Sequence, residues 1–175
     1  GVLTVGLGAV ASTLIAGVEL AKRGLGSPIG ALTQMDTIRL GKRTDNRNPM
    51  IKDFVPLARL EDIVWGAWDP FPDDAYVAAT RAGVLESGKH LEAISDTLRE
   101  IRPMKAAFER NYVKNIDAEN TMGKISKREM LNAIRADINK FRDEKKVDRV
   151  VMIWCASTEI FIEPGPQHQN IESFE

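Results

Sequence analysis

Gly6-x-Gly8-x-x-Ala11 directly follows a β-branched run, Val2 to Val5, and opens a segment that is apolar at Val10, Leu14, Val18 and Ala21, the one-face spacing of a helix. Strand, glycine turn and helix in that order can form a phosphate site. The first glycine permits the tight turn, the second lets a pyrophosphate approach the backbone, and a small third residue lets the helix pack closely on the strand. Backbone amides and the positive helix end at Ala9, Val10, Ala11 and Ser12 can then hold phosphate oxygens. The same string would also serve as a tight turn that binds nothing, so the pattern points to a dinucleotide without fixing one.

A ribose-binding acid is expected about 20 residues further on, at the end of the second strand. Asp36 comes 28 residues after Gly8 and reads equally well as a solvated loop acid. Asp69 leaves the carboxyl end of a third candidate strand, the edge where ligands sit in open α/β sheets. Its alternative role is the N-cap of the helix ahead. Cys155-Ala156-Ser157-Thr158-Glu159 follows an apolar run and would reach the same edge, where small residues can approach a nucleotide or simply cap a turn. Cys155 has no His or second Cys near it in sequence and reads as a small buried hydrophobe. His90 and His168 are isolated, so no metal site is expected.

The elements that must position these residues follow from period and punctuation. The first helix closes at Lys22 and Arg23 with Gly24 beyond. A second strand is expected over Ile29 to Gln34, and a surface loop over Gly41 to Pro56. A third strand, Ile63-Val64-Trp65, runs into Gly66-Ala67-Trp68-Asp69-Pro70, and Trp65 and Trp68 would face opposite sides of the sheet. Asp73 and Asp74 open a helix carrying Ala75, Val77, Ala78, Ala82 and Leu85. Leu91 to Ile101 predicts another, ended by Pro103. Ser126 and Glu129 form a capping-box pair ahead of Leu131, Ile134, Ile138 and Phe141. Val147 to Cys155 reads as an apolar strand covered on both faces. Pro103 to Gly123 has no period and is not assigned. Strands alternating with helices imply an α/β fold, a Rossmann-type doubly wound, mostly parallel sheet with flanking helices.

The 175 residues fit one domain, residues 1–175. With 24 Lys+Arg against 25 Asp+Glu, there is no long-range attraction for nucleic acid or an anionic membrane. The single cysteine excludes an internal disulfide and suits a reducing compartment, the cytoplasm. No apolar run reaches the roughly 18 residues of a membrane span. The chain opens at Gly1 with a strand at once and stops abruptly at Glu175, which reads as a piece of a larger protein.

Four blocks in order carry a resemblance: Gly6-Leu7-Gly8-Ala9-Val10-Ala11-Ser12-Thr13-Leu14; Gly30-Ala31-Leu32-Thr33-Gln34 with Thr37-Ile38-Arg39-Leu40-Gly41; Gly66-Ala67-Trp68-Asp69; and Val150 to Phe161 with Trp154, Ala156, Thr158 and Glu159. Together they resemble the amino-terminal half of the myo-inositol-1-phosphate synthase family. The resemblance implies that the parent converts glucose 6-phosphate to inositol 1-phosphate with NAD reduced and reoxidised in one turnover. Oxidation at C5, enolate formation at C6, aldol attack on the C1 aldehyde and return of hydride make up that scheme. By likeness Gly6, Gly8, Ala9, Val10, Ala11 and Ser12 would hold the pyrophosphate and Asp69 the adenosine ribose. Cys155, Ala156, Ser157 and Thr158 would line the dinucleotide, with Asp117 toward the adenine. NAD is expected over NADP because Asp69 and Asp36 would repel a 2′-phosphate and no Arg immediately follows either.

Two departures stand out. The glycine turn is shorter and more apolar than the Gly- and Asn-rich loop of many eukaryotic relatives, and Asp36 stands where many have Ser. The family's catalytic lysines and phosphate-binding residues would lie in a domain beyond Glu175, so no catalytic residue is assigned here and the chain alone is expected to be inactive. A homo-oligomer, a tetramer by resemblance, is expected. The alternatives are an NAD-dependent oxidoreductase acting on another sugar phosphate and a non-catalytic NAD-binding module.

Overall fold

The computed structural model describes residues 1–113, 115–156 and 161–174. In chain order its elements are β1 (Val2–Val5), α1 (Ala9–Lys22), α2 (Leu32–Met35), α3 (Ile51–Phe54), β2 (Trp65–Asp69), α4 (Ala75–Ala82), α5 (Ser95–Glu100), β3 (Met104–Lys105), α6 (Lys127–Lys145), β4 (Val151–Trp154) and α7 (Ile171–Phe174). The four strands form one parallel sheet in the order β3-β2-β1-β4. Departure from β1 to β2 on one side and return to β4 on the other is the doubly wound arrangement expected from the alternation.

Period-2 alternation sorts the core. Val2, Trp65 and Ala67 face α1, α4 and α5 together with Leu7, Ala11, Ile15, Leu91, Ile94 and Leu98. Leu3 and Trp68 face α6 through Phe141, Ile134 and Ile138. The two tryptophans therefore lie on opposite faces, as their spacing requires. Each satisfies its indole nitrogen: Trp65 Nε1 donates to Glu19 at 2.8 Å and Trp68 Nε1 to Asp137 at 2.9 Å. The buried Glu19 carboxylate also accepts from Lys22 Nζ at 2.6 Å, and Lys22 reaches the Ile63 carbonyl. That network fastens the end of α1 to the entry of β2.

Capping chemistry behaves as read. Ser126 accepts from the Glu129 amide and the Glu129 carboxylate returns to the Ser126 amide, starting α6. Asp74 accepts from the Tyr76 and Val77 amides and caps α4, so Asp69 is not the cap.

Four expectations are corrected. Ile29 to Gln34 is not a strand: it turns at Pro28 to Ala31, where the Ala31 amide donates to the Pro28 carbonyl, and enters the single-turn α2. Both edges of β1 are already taken by β2 and β4, so no place beside it remains. The expected loop, Gly41 to Pro56, contains α3, and a bridge joins Thr37 to Met50. The strand expected at 63–65 lies at Trp65–Asp69, with Gly66 inside it because a Cβ there would come within 2.6 Å of Leu3 Cδ2 and 3.1 Å of Phe141. The strand read as Val147 to Cys155 spans Val151–Trp154 and is an edge strand, with Val151, Met152 and Trp154 exposed, Trp154 by 68%.

Two further differences concern length. Leu91 to Ile101 is a π turn (Ser87–Leu91) and a 3-10 turn (Glu92–Ile94) ahead of the short α5. The unassigned stretch supplies β3, which pairs only with Trp68 and Asp69. Among the described residues no helix is long and apolar enough to cross a membrane.

Ala11 is fully buried where α1 crosses the sheet, whereas its neighbour Val10 is 67% exposed. Ala11→Leu should lower the unfolding free energy by about 1–3 kcal/mol through overpacking. Val10→Ala should change it by less than about 0.5 kcal/mol, both read by urea denaturation.

Candidate functional site

A parallel sheet brings the carboxyl ends of its strands to one edge, and here that edge opens into a cavity of about 520 Å³. The volume lies within the roughly 300–1,000 Å³ of small-molecule and cofactor sites. The turn after β1 contributes Gly6, Leu7, Gly8 and Ala9, and the turn after β2 contributes Asp69, Pro70 and Phe71. The segment after β4 contributes Cys155 and Ala156. Ala78, Arg81 and Ala82 of α4, Ile134 of α6, and Ala106, Phe108, Val113 and Ile116 complete the largely apolar walls.

The two glycines of the turn have different physical jobs. Gly6 has φ +97°, a left-handed conformation that L side chains rarely adopt, and a Cβ there would lie 3.0 Å from the Ala156 nitrogen. Its own amide donates to the Trp68 carbonyl at 2.8 Å. Gly8 precedes α1, and a Cβ there would meet nothing within 4 Å. Its backbone is thus open to the cavity, beside α1, whose first amides have no intrahelical acceptor. No side chain caps them.

Asp69 joins the two turns. Its Oδ2 accepts from the Leu7 amide at 2.5 Å and its Oδ1 from the Phe71 amide at 2.9 Å. Each oxygen retains a second acceptor position. Asn120, from the stretch without sequence period, donates through Nδ2 to the Asp69 and Met104 carbonyls at 2.9 and 3.0 Å. Its own amide donates to the Pro70 carbonyl at 2.8 Å. Asp69 is therefore held from both sides.

Of the residues singled out by sequence, Gly6, Gly8, Ala9, Asp69, Cys155 and Ala156 meet at the cavity. Val10 points to solvent. Ala11 is buried in the core, and Ser12 is buried with its amide donating to the Gly8 carbonyl at 3.0 Å and its hydroxyl 3.4 Å from the Ala9 carbonyl. Asp117 has a 95% exposed side chain paired with Arg110 at 3.1 Å, while its neighbour Ile116 lines the wall. Asp36 accepts from the Thr37 amide at the surface. Ser157, Thr158 and Glu159 lie outside the described residues. Burial pushes the Cys155 thiol above its ordinary pKa.

Phe71, Asp73 and Arg81 line the cavity and Asn120 braces Asp69, and sequence reasoning named none of them for the site. Only Asp69-Pro70 offered a signal, as a turn after a strand; the others come from helix and loop positions that gain meaning by proximity. Among the described residues no group of three or more His, Cys, Asp or Glu stands together as a metal site.

The open backbone at Gly8, the Gly6 cradle and the spare acceptor positions of Asp69 fit a dinucleotide. Comparison with known proteins agrees. An NAD-binding family model described as myo-inositol-1-phosphate synthase matches residues 1–175. An inositol-3-phosphate synthase of Bacteroides thetaiotaomicron is 43% identical over all of this chain, and one of Trypanosoma brucei brucei is 30% identical over 77% of it. The crystal structure of inositol-3-phosphate synthase from Caenorhabditis elegans superposes with a TM-score of 0.80 at 27% identity over 95% of this chain. The chain spans 40% of the Bacteroides protein, 26% of the trypanosome protein and 36% of the nematode chain.

Gly8→Val should weaken NAD binding at least about tenfold by filling the open approach, with circular dichroism unchanged; titration calorimetry reads the affinity. The raised thiol pKa keeps the Cys155 thiolate fraction low near neutral pH, and that fraction grows as pH rises. Alkylation by iodoacetamide at pH 8 should therefore run slower than that of a free cysteine, and slower still with NAD present.

Proposed function

The chain belongs to the myo-inositol-1-phosphate synthase family, with NAD as its cofactor, and on that premise we propose that it is the NAD-binding part of an enzyme converting D-glucose 6-phosphate to myo-inositol 1-phosphate. The observation that carries this reading is the convergence of the Gly6–Ala9 turn and Asp69 on one cavity at the carboxyl edge of the sheet. The reaction is an isomerisation, an intramolecular sequence of oxidation, aldol cyclisation and reduction. NAD supplies the hydride acceptor and donor that make it redox-neutral overall.

In this reading the backbone around Gly8, with the amides of Ala9, Val10 and Ala11, receives the pyrophosphate. Val10 and Ala11 act through main-chain groups only, because their side chains face solvent and core. Ser12 contributes helix geometry rather than its hydroxyl. Asp69 accepts from an adenosine ribose hydroxyl with the lone pairs left by Leu7 and Phe71, and those two amides fix its orientation. Phe108, Val113, Ile116 and Ile134 exclude water from the site. Cys155 and Ala156 form the wall beside Gly6, while Asp117 would approach the adenine end only by leaving Arg110.

In this proposal the catalytic lysines and the substrate phosphate site lie in polypeptide outside residues 1–175, the chain covering 40% of its Bacteroides relative. The exposed apolar side chains of β4 offer that polypeptide a face on which to pack. The working form is a homotetramer in the cytoplasm that acts on a small sugar phosphate.

The full-length protein should convert glucose 6-phosphate to inositol phosphate without net NADH production, detected as phosphate released after periodate oxidation. Residues 1–175 alone should be at least about 100-fold slower, because the enolate meets no preorganised cations. Turnover by residues 1–175 would relocate the active site. Stoichiometric NADH formation by the full-length protein with another sugar phosphate would favour a plain oxidoreductase.

A further inference from the structure

The cavity holds an arginine that no spacing in the sequence announces. Arg81, in the last turn of α4, lines it together with Asp69, Phe71 and Asp73. Its guanidinium carbon lies 5.9 Å from the centre of the Phe71 ring, and the Phe71 amide is bonded to Asp69. Arg81 thus stands beside the turn that presents the candidate ribose acid, where a basic fork would accept a 2′-phosphate. The fork is already engaged: Arg81 Nη2 lies 2.7 Å from Asp73 Oδ2.

We infer that the Asp73–Arg81 pair is a specificity device that rejects NADP by keeping a phosphate-binding arginine neutralised at the ribose end of the cavity. The inference rests on the placement of the adenosine ribose at Asp69. A 2′-phosphate brings about two negative charges and needs a bidentate donor. Asp73 occupies one guanidinium nitrogen and sets its own negative charge in the path of the incoming group, a repulsive element as well as a competing partner. The side chains of Arg81 and Asp73 are 61% and 30% exposed. A surface pair of this kind adds little to stability, so its removal should leave the fold intact. Asp73 is not the α4 cap, a role filled by Asp74, so removal of its charge leaves the helix start intact.

The test is titration calorimetry of the full-length protein with NAD and with NADP. For Asp73→Asn, the ratio of the NADP to the NAD dissociation constant should fall about tenfold or more, the scale of one charge-assisted phosphate contact. Adding Arg81→Gln to that variant should restore the wild-type ratio. Asp73→Ser should behave like Asp73→Asn, and circular dichroism monitors the fold of each. A ratio unchanged within threefold in a folded Asp73→Asn variant, with NAD still bound, would overturn the specificity role while leaving the cavity assignment standing. Failure of the wild-type protein to bind either cofactor would overturn the cavity assignment, and the inference with it. Loss of fold in both Asp73 variants would make the pair structural and would also overturn the inference.

Discussion

The central strand β1 is hydrogen-bonded on both edges by parallel neighbours, from Val2 beside Trp65 and Val151 to Val5 beside Trp68 and Trp154. Parallel pairing obliges the chain to leave every strand at the same edge and to return by a crossover. The turns after β1, β2 and β4 are therefore neighbours in space although they lie far apart in sequence. Where one crossover ends on one side of β1 and another on the opposite side, the turns diverge and leave a crevice. The cavity is a consequence of that topology before any side chain is considered.

Within the crevice, order comes from a small number of polar contacts made by groups that would otherwise be costly to bury. The Asp69 carboxylate answers two backbone amides, one from each turn, and so fixes the separation of the glycine loop from the end of β2. Asn120 holds the same turn from behind by its amide and side chain. The carboxylate keeps unshared acceptor positions, and Asp69 lines the cavity. The glycines divide the remaining work: Gly6 satisfies packing against Ala156, and Gly8 leaves room.

The same economy of space governs the helix layer. Ala11, Ala16, Ala75 and Ala79 are buried at helix faces around the sheet, and small side chains allow the close approach that places the start of α1 beside the cavity. On the other face of the sheet α6 meets Leu3 and Trp68 through Phe141, and Gly66 makes room for that ring. β4, by contrast, stands at the outer edge with exposed apolar side chains, which marks the side of the sheet where this chain has not covered its own surface.

The sequence by itself determined β1, the glycine turn and α1, because strand pattern, turn chemistry and helix period are local and agree with one another. It determined α6 through the Ser126–Glu129 capping box, the opposite facing of the two tryptophans through strand period, and the family through blocks that keep their order. Tertiary structure decided what local pattern could not encode. Ile29 to Gln34 has strand composition, yet both edges of β1 were occupied, so it stayed outside the sheet. Met104–Lys105 became a strand only because the open edge at Trp68 and Asp69 offered hydrogen-bond partners. Arg81 and Asp73 acquired a place at the cavity because α4 folds back over the turn that follows β2. A side chain's neighbours across a crossover depend on how the whole sheet is wound, and that information lies in no short stretch of residues.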